Sequence, residues 1–245
     1  MSQVSVIIPC YNQESFIAEA VASVQAQTHK NIQIIVIDDG STDDSWNVIQ
    51  SLGVSAIHQE NLGVCLASQH AFEVVTGEFV MRLDGDDYLP ADYIASQLAV
   101  LERSKAAYAY SDAEYFGSRT GRMKSGPFSW RRLVQENYIH VSALVRAEVI
   151  RECGYFHESM TTGFDDWDLW LRLYEKGYTG VYNPKTHIFY RQREEAGRND
   201  MAREQNRAMR AQIQVNHPDL YRRPDVKLLV LAWKVRRRIH SWGKK

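Results

Sequence analysis

A chain of 245 residues can bury a sizeable core as one large domain or as two fused lobes. Hydrophobic residues at 44% and charged residues at 24% are ordinary for a globular protein, and a net charge of −1 supplies no global pull toward nucleic acid or membrane. The three cysteines, Cys10, Cys65 and Cys153, match no metal pattern and no disulfide framework.

Val4 to Pro9 reads as a first strand stopped by proline, with Asn12 as cap of a helix whose apolar stripe is Phe16, Ile17, Ala20, Val21 and Val24. Ile32 to Ile37 is a second strand, rich in Val and Ile as a parallel strand covered on both faces should be. It runs into the turn Asp38-Asp39-Gly40-Ser41-Thr42-Asp43 and a helix start. A short strand over Val54 to Ile57 and a helix from about Gly63 to Val75 lead to a strand at Phe79 to Leu83. A helix from Tyr93, a strand near Ala107 to Ser111 and a mobile loop over Gly117 to Gly126 follow. Ile139 to Val145 restores order before a helix at about Arg146 to Glu152. A further helix begins near Asp165, with acidic residues in its first turn, where the helix dipole favours them. Alternating strands and helices predict right-handed crossovers and a doubly wound, mostly parallel sheet with helices on both faces.

Polar clusters at Pro9 to Asn12, Asp38 to Ser41 and Asp84 to Asp87 should meet on one edge of that sheet, where ligands of open α/β folds collect. Asp84, Asp86 and Asp87 place three carboxylates at one strand end, an arrangement that needs a cation or strong donors to offset repulsion and lost hydration. A divalent ion holding a phosphorylated substrate answers that need. A solvated acidic turn is the competing reading, while an EF-hand is a poor one because Tyr88 and Ala95 stand where ligands are required.

Four segments in fixed order resemble glycosyltransferase family 2: Val6 to Asn12, Asp38 to Asp43, Leu83 to Asp87, and Gly163 to Leu173. The resemblance spans roughly Val4 to Tyr190 and implies the A-type glycosyltransferase fold, with inversion at the anomeric carbon. It implies a catalytic domain over residues 1–200, with a nucleotide-sugar half to about 95 and an acceptor half beyond. Asp84-Gly85-Asp86 resembles the Asp-x-Asp motif, implying Mn²⁺ or Mg²⁺ on Asp84 and Asp86 and a nucleotide diphosphate sugar beside Gly85. Such an ion acts as a Lewis acid on the departing diphosphate. Asp39 is implied as a contact to base or ribose, with Pro9, Tyr11, Asn12 and Gly63 in the same slot and a uridine nucleotide as the first expectation. Asp166 is implied as general base, a role that contributes about 10²–10⁴-fold. Asp165, His187 and Arg191 are additional candidates, and Trp167 and Trp170 are expected in the core.

The sequence also departs from the family. Ser68 and Gln69 stand where relatives commonly carry Arg-Asn, and Gln192-Arg193 follows Tyr190-Arg191 where a histidine is often found, leaving the third metal ligand open. The pattern of processive synthases is missing, which implies one sugar per encounter, passed to a saccharide or lipid-linked saccharide. Residues 201–245 read as a helical tail, with Leu228, Leu231, Val235, Ile239 and Trp242 on one stripe and Lys227, Lys234, Arg237 and Arg238 on other faces. An anionic membrane surface or a protein partner would each suit it. The cysteine usage and the strand pattern at the very N-terminus predict a cytoplasmic protein, peripheral on the membrane if the tail anchors it, with no nucleic-acid partner. A nucleotidyltransferase is disfavoured because no Gly-rich basic loop follows the first strand. A non-catalytic nucleotide-sugar-binding or membrane-docking module remains an alternative.

Overall fold

The structure, a computed structural model, describes residues 1–160, 163–193 and 199–242, with side chains in the last stretch described for 206–236. Its centre is an eight-stranded sheet in the order β3-β2-β1-β4-β7-β5-β6, with β8 also pairing β5. The strands are β1 (Val4–Cys10), β2 (Ile32–Asp39), β3 (Ser55–Gln59), β4 (Phe79–Arg82), β5 (Tyr108–Gly117), β6 (Gly121–Met123), β7 (Leu144–Arg146) and β8 (Gly180–Gln192). β1 to β4 run parallel, β7 lies antiparallel between β4 and β5, and β8 is parallel to β5.

Strand alternation sorts the core into two layers. Ile7, Ile35, Ile37 and Val80 face one cluster; Val4, Val6, Ile8, Val36, Phe79 and Met81 face the other. Helices α1 (Ile17–Gln25), α2 (Ser45–Ser51) and α4 (Tyr93–Glu102) cover the second cluster. The first is covered by α3 (Val64–Glu73), α6 (Ala147–Cys153) and α7 (Asp165–Glu175), while α5 (Trp130–Leu133) adds Leu133. Each fully buried Val or Ile contributes about 1.5–3 kcal/mol, which makes Val/Ile-rich β1 and β2 the anchors of the sheet.

Several expectations need correction. Pro9 does not stop β1, which continues to Cys10 opposite Asp38. Pairing with β4 ends at Ile7, so the proline sits where one edge of the strand is already free of a ladder partner. Asn12 caps no helix: its φ is 51°, its Oδ1 accepts from the Thr42 amide at 2.8 Å, and α1 starts at Ile17 without a side-chain cap. The segment expected to be a loop over Gly117 to Gly126 contains β6, which forms a hairpin with β5. Only Leu144 to Arg146 of the ordered stretch after Ile139 is strand.

The C-terminal helices are α8 (Asn199–Asn216), α9 (Pro218–Arg222) and α10 (Pro224–Trp242). Ile213, Leu220 and Val226 are buried in the same cluster as α7. His217 is clamped between Glu175 (Nδ1 to Oε2, 2.5 Å) and Asp168 (Nε2 to Oδ1, 3.2 Å), and Asn216 donates to the same Asp168 oxygen at 2.6 Å. The two carboxylates raise His217 to about 9 despite its burial. Leu228, Leu231 and Val235 are exposed on α10, while Arg237, Arg238, Ile239 and Trp242 have side chains outside the described set.

Candidate active site

β1 has β2 on one side and β4 on the other, so the strand order switches there and opens a crevice beyond the carboxyl ends of β1 and β4. A cavity of about 680 Å³ fills it. One wall comes from the ends of β1 and β2 and the loop before α3, through Pro9, Tyr11, Asp39, Asn61 and Gly63. Arg82, Asp84, Gly85 and Asp86 form the second wall, and Asn137, His140, Phe164, Asp165, Asp166 and Tyr190 belong to the third.

Arg82 organises the acidic wall. It is 5% exposed, donates from Nε to Asp84 Oδ1 at 3.0 Å, and donates from a terminal nitrogen to Asp165. Asp86 pairs with Arg193 at 2.6 Å, and its carboxyl is raised by burial and then by the charge on Asp84. Asp87 turns away from the cavity. Its Oδ1 accepts the Arg191 amide at 2.8 Å and its Oδ2 has no hydrogen-bond partner; burial, then Asp84 and Asp86, push its pKa well up. Gly85 packs closely on the loop after β1: a Cβ there would lie 2.2 Å from Gln13 Oε1, the movable end of that side chain, and 3.0 Å from the Pro9 carbonyl.

Asp84 and Asp86 offer hard oxygen donors from one turn, and the mutual repulsion recorded in Asp86 is what a divalent ion would relieve. Each is now held by an arginine, so an ion would have to displace Arg193 from Asp86. Among the described residues no three His, Cys, Asp or Glu are grouped to hold a metal. The pair therefore fits an ion whose remaining oxygens come from a bound substrate.

On the first wall Tyr11 is 47% exposed, leaving its ring open for stacking. Asp39 accepts from Gln59 at 2.7 Å, the Leu62 amide at 2.9 Å and the Gly63 amide at 2.8 Å. Its carboxylate thus fastens the loop before α3 while lining the cavity, with acceptor capacity left on Oδ2. Asp38 is fully buried and bonded to His58 and to the Ser41 amide, the role of a turn residue.

Asp166 opens α7. Phe164, just before it, has a left-handed φ of 62°, an outlier for a bulky side chain that is held by its edge contact with Trp167. Asp166 accepts from Asn137 Nδ2 at 2.8 Å, and burial together with the Asp165 charge raises its pKa to about 7. A carboxylate poised there can take a proton near neutral pH. Burial lowers His140 to about 4, so its 3.9 Å approach to Asp87 is not an ion pair.

The cavity gathers Pro9, Tyr11, Asp39, Gly63, Asp84, Gly85, Asp86, Asp165 and Asp166, but not Asn12, His187 or Arg191. Asn12 stitches its loop to Thr42. His187 points to Glu114 at 3.5 Å. Arg191 is sandwiched by Phe16 and Phe116, pairs with Glu19, and donates from Nε to the Asp86 carbonyl at 2.8 Å. Arg191 thus braces the acidic turn from behind. Trp167 and Trp170 are core, their indole nitrogens donating to the carbonyls of Leu133 and Ile139. Sequence reasoning missed Arg82, Asn137 and His140. Only Arg82 left a signal, since period-two alternation puts it on the same strand face as Asp84.

A mostly parallel sheet with a cavity at its switch point is an open α/β architecture with its ligand crevice beyond the strands' carboxyl ends. The family model for glycosyl transferase family 2 matches residues 5–162, and the chain belongs to that family. A glycosyltransferase of Escherichia coli, "UDP-Glc:alpha-D-GlcNAc-diphosphoundecaprenol beta-1,3-glucosyltransferase WfaP", is 28% identical over 201 residues, covering 78% of each protein. An uncharacterized glycosyltransferase of Rickettsia felis is 29% identical over 189 residues; that match spans 73% of this chain but 31% of the relative. A crystal structure of S. aureus TarS superposes over 87% of this chain and 65% of its own, with a TM-score of 0.71 at 19% identity. The fold is the A-type glycosyltransferase fold.

Proposed function

We propose that this protein is an inverting glycosyltransferase that moves one sugar per encounter from a nucleotide diphosphate sugar to a hydroxyl of a saccharide or lipid-linked saccharide. The observation that carries this reading is Asp166, raised to about 7 and lining the same cavity as Asp84 and Asp86. Acceptor proton removal and leaving-group charge can then be handled on two walls of one space. WfaP, by its name, uses UDP-glucose and a diphosphoundecaprenol-linked acceptor, and TarS has been crystallised with UDP-GlcNAc. Both favour a uridine donor, and the name of the E. coli relative favours a lipid-linked saccharide acceptor, as in polysaccharide assembly.

Tyr11 stacks on the base, and Asp39 holds the loop that closes the nucleotide slot. Asp166 accepts the proton of the attacking hydroxyl, while Asn137 fixes the carboxylate's orientation and Asp165, tied to Arg82, keeps its basicity high. Asp84 and Asp86 would hold Mn²⁺ or Mg²⁺, which neutralises charge on the leaving diphosphate. Among the described residues no helix is long and apolar enough to cross a membrane. The exposed Leu228, Leu231 and Val235, together with the basic residues of α10, support a peripheral position on the cytoplasmic face.

Asp166→Asn, which keeps shape and can still pair with Asn137, is expected to cut transfer by about 10²–10⁴-fold while nucleotide affinity stays within twofold. In the unaltered protein, rate should rise with pH through about 7 as Asp166 ionises. A variant retaining a tenth of the transfer rate would remove Asp166 as base.

A further inference from the structure

A second cavity, of about 570 Å³, lies behind the first, between the segment after α5 and helices α8, α9 and α10. It is lined by Arg207, Arg210 and Lys234 and by the rings of Trp167, Tyr221 and Trp233, and among the described residues no carboxylate lines it. The Arg210 guanidinium lies 4.9 Å from the Trp167 ring and 4.8 Å from the Trp233 ring and donates to the Gln135 carbonyl at 3.1 Å. Arg207 and Lys234 are exposed, and among the described residues neither forms an ion pair with a carboxylate. Two cations that have no counter-charge among the described residues, at the mouth of an aromatic cavity, match an anion joined to an apolar body.

Two further placements narrow the ligand. On α10 the turn geometry puts Lys227 and Lys234 between the cavity face, Val230 and Trp233, and the stripe of Leu228, Leu231 and Val235, which are 69%, 59% and 48% exposed. Cation and hydrocarbon surface therefore adjoin. The two cavities also share a wall: Asp166 and Asn137 line the first, and Trp167 and Gln135 line the second.

We propose that the second cavity binds the phosphate of an amphiphilic, phosphate-linked acceptor. Arg207 and Lys234 hold the anion, and the aromatic walls with the adjoining α10 stripe receive its hydrocarbon. This deepens the reading above and rests on its lipid-linked acceptor: the cavity would tether that molecule beside the wall that carries the base.

The test is calorimetric titration of the full chain with farnesyl diphosphate, with saturating uridine diphosphate present to fill the first cavity. Wild-type protein should bind, and the double variant Arg207→Ala/Lys234→Ala should bind at least tenfold more weakly. Both positions are exposed, so an unchanged melting transition will show that the variant is folded. Equal affinities, or no binding by the wild type, overturn the proposal. Displacement by equimolar inorganic pyrophosphate would mean a site for free anion, and displacement by phosphatidylglycerol vesicles but not phosphatidylcholine vesicles would mean bulk headgroup binding; either also overturns it. The titration needs no turnover, so an inactive protein that still binds keeps this site and loses the transferase reading, whereas an active one that fails to bind does the reverse.

Discussion

The two cavities treat charge in opposite ways. In the first, carboxylates at strand ends crowd together and are held by arginines, Arg82 on Asp84 and Asp165, and Arg193 on Asp86. In the second, a guanidinium is held by indole faces and the remaining cations have no acidic partner among the described residues. A site whose charges are already neutralised internally can admit a ligand only by exchanging partners. One that leaves cations uncompensated is ready for an anion as it stands. The turn carrying Asp166 and Trp167 separates these environments, which makes it the natural place to probe the contrast.

The largest effect should come from breaking the arginine that ties the first cavity together. Arg82→Met leaves Asp165 buried without its partner, and a loss of about 3–5 kcal/mol in unfolding free energy is expected in denaturant titrations. A loss below 1 kcal/mol would show that water or another cation compensates.

A smaller effect is expected at the clamp behind the second cavity. His217 is raised from 6.5 to about 9 by Asp168 and Glu175. A raised folded-state pKa means that this stabilisation is complete below 6.5 and declines as pH climbs through 9. Melting temperature should fall across that window, and His217→Gln should flatten the decline. A parallel decline in the variant would assign it to other groups.

Tyr11→Ala sharpens the comparison from the nucleotide side. Loss of one stacking face should weaken nucleotide affinity by about 1–3 kcal/mol in calorimetry. Unchanged affinity would place the base elsewhere in the cavity.

Much of the acidic cavity was legible because β1, β2 and β4 are largely buried and announce themselves as apolar runs, Val/Ile-rich in β1 and β2, ending in polar clusters. β8 was not, because Pro184, Lys185 and His187 interrupt any apolar pattern and its pairing with β5 is fixed by register over a long sequence distance. β6 has only three residues and exists through its partner. Asn137 and His140 lie in a stretch with no period, so only the folded chain brings them to Asp166 and Tyr190. Asn12 misled because asparagine favours both helix caps and left-handed turns, and the second won. The exposed stripe of α10 was visible in the sequence, but its neighbours Val226, Leu229 and Val230, which turn inward to pack on the core, were not separable from it by composition.

Gly85 carries one more implication. An added methyl there would push the Gln13 side chain aside and press on the Pro9 carbonyl, so the turn between the two acidic residues and the loop after β1 lie in close contact. Swaps that graft a different first loop should therefore keep a side chain at position 13 that can yield to this turn.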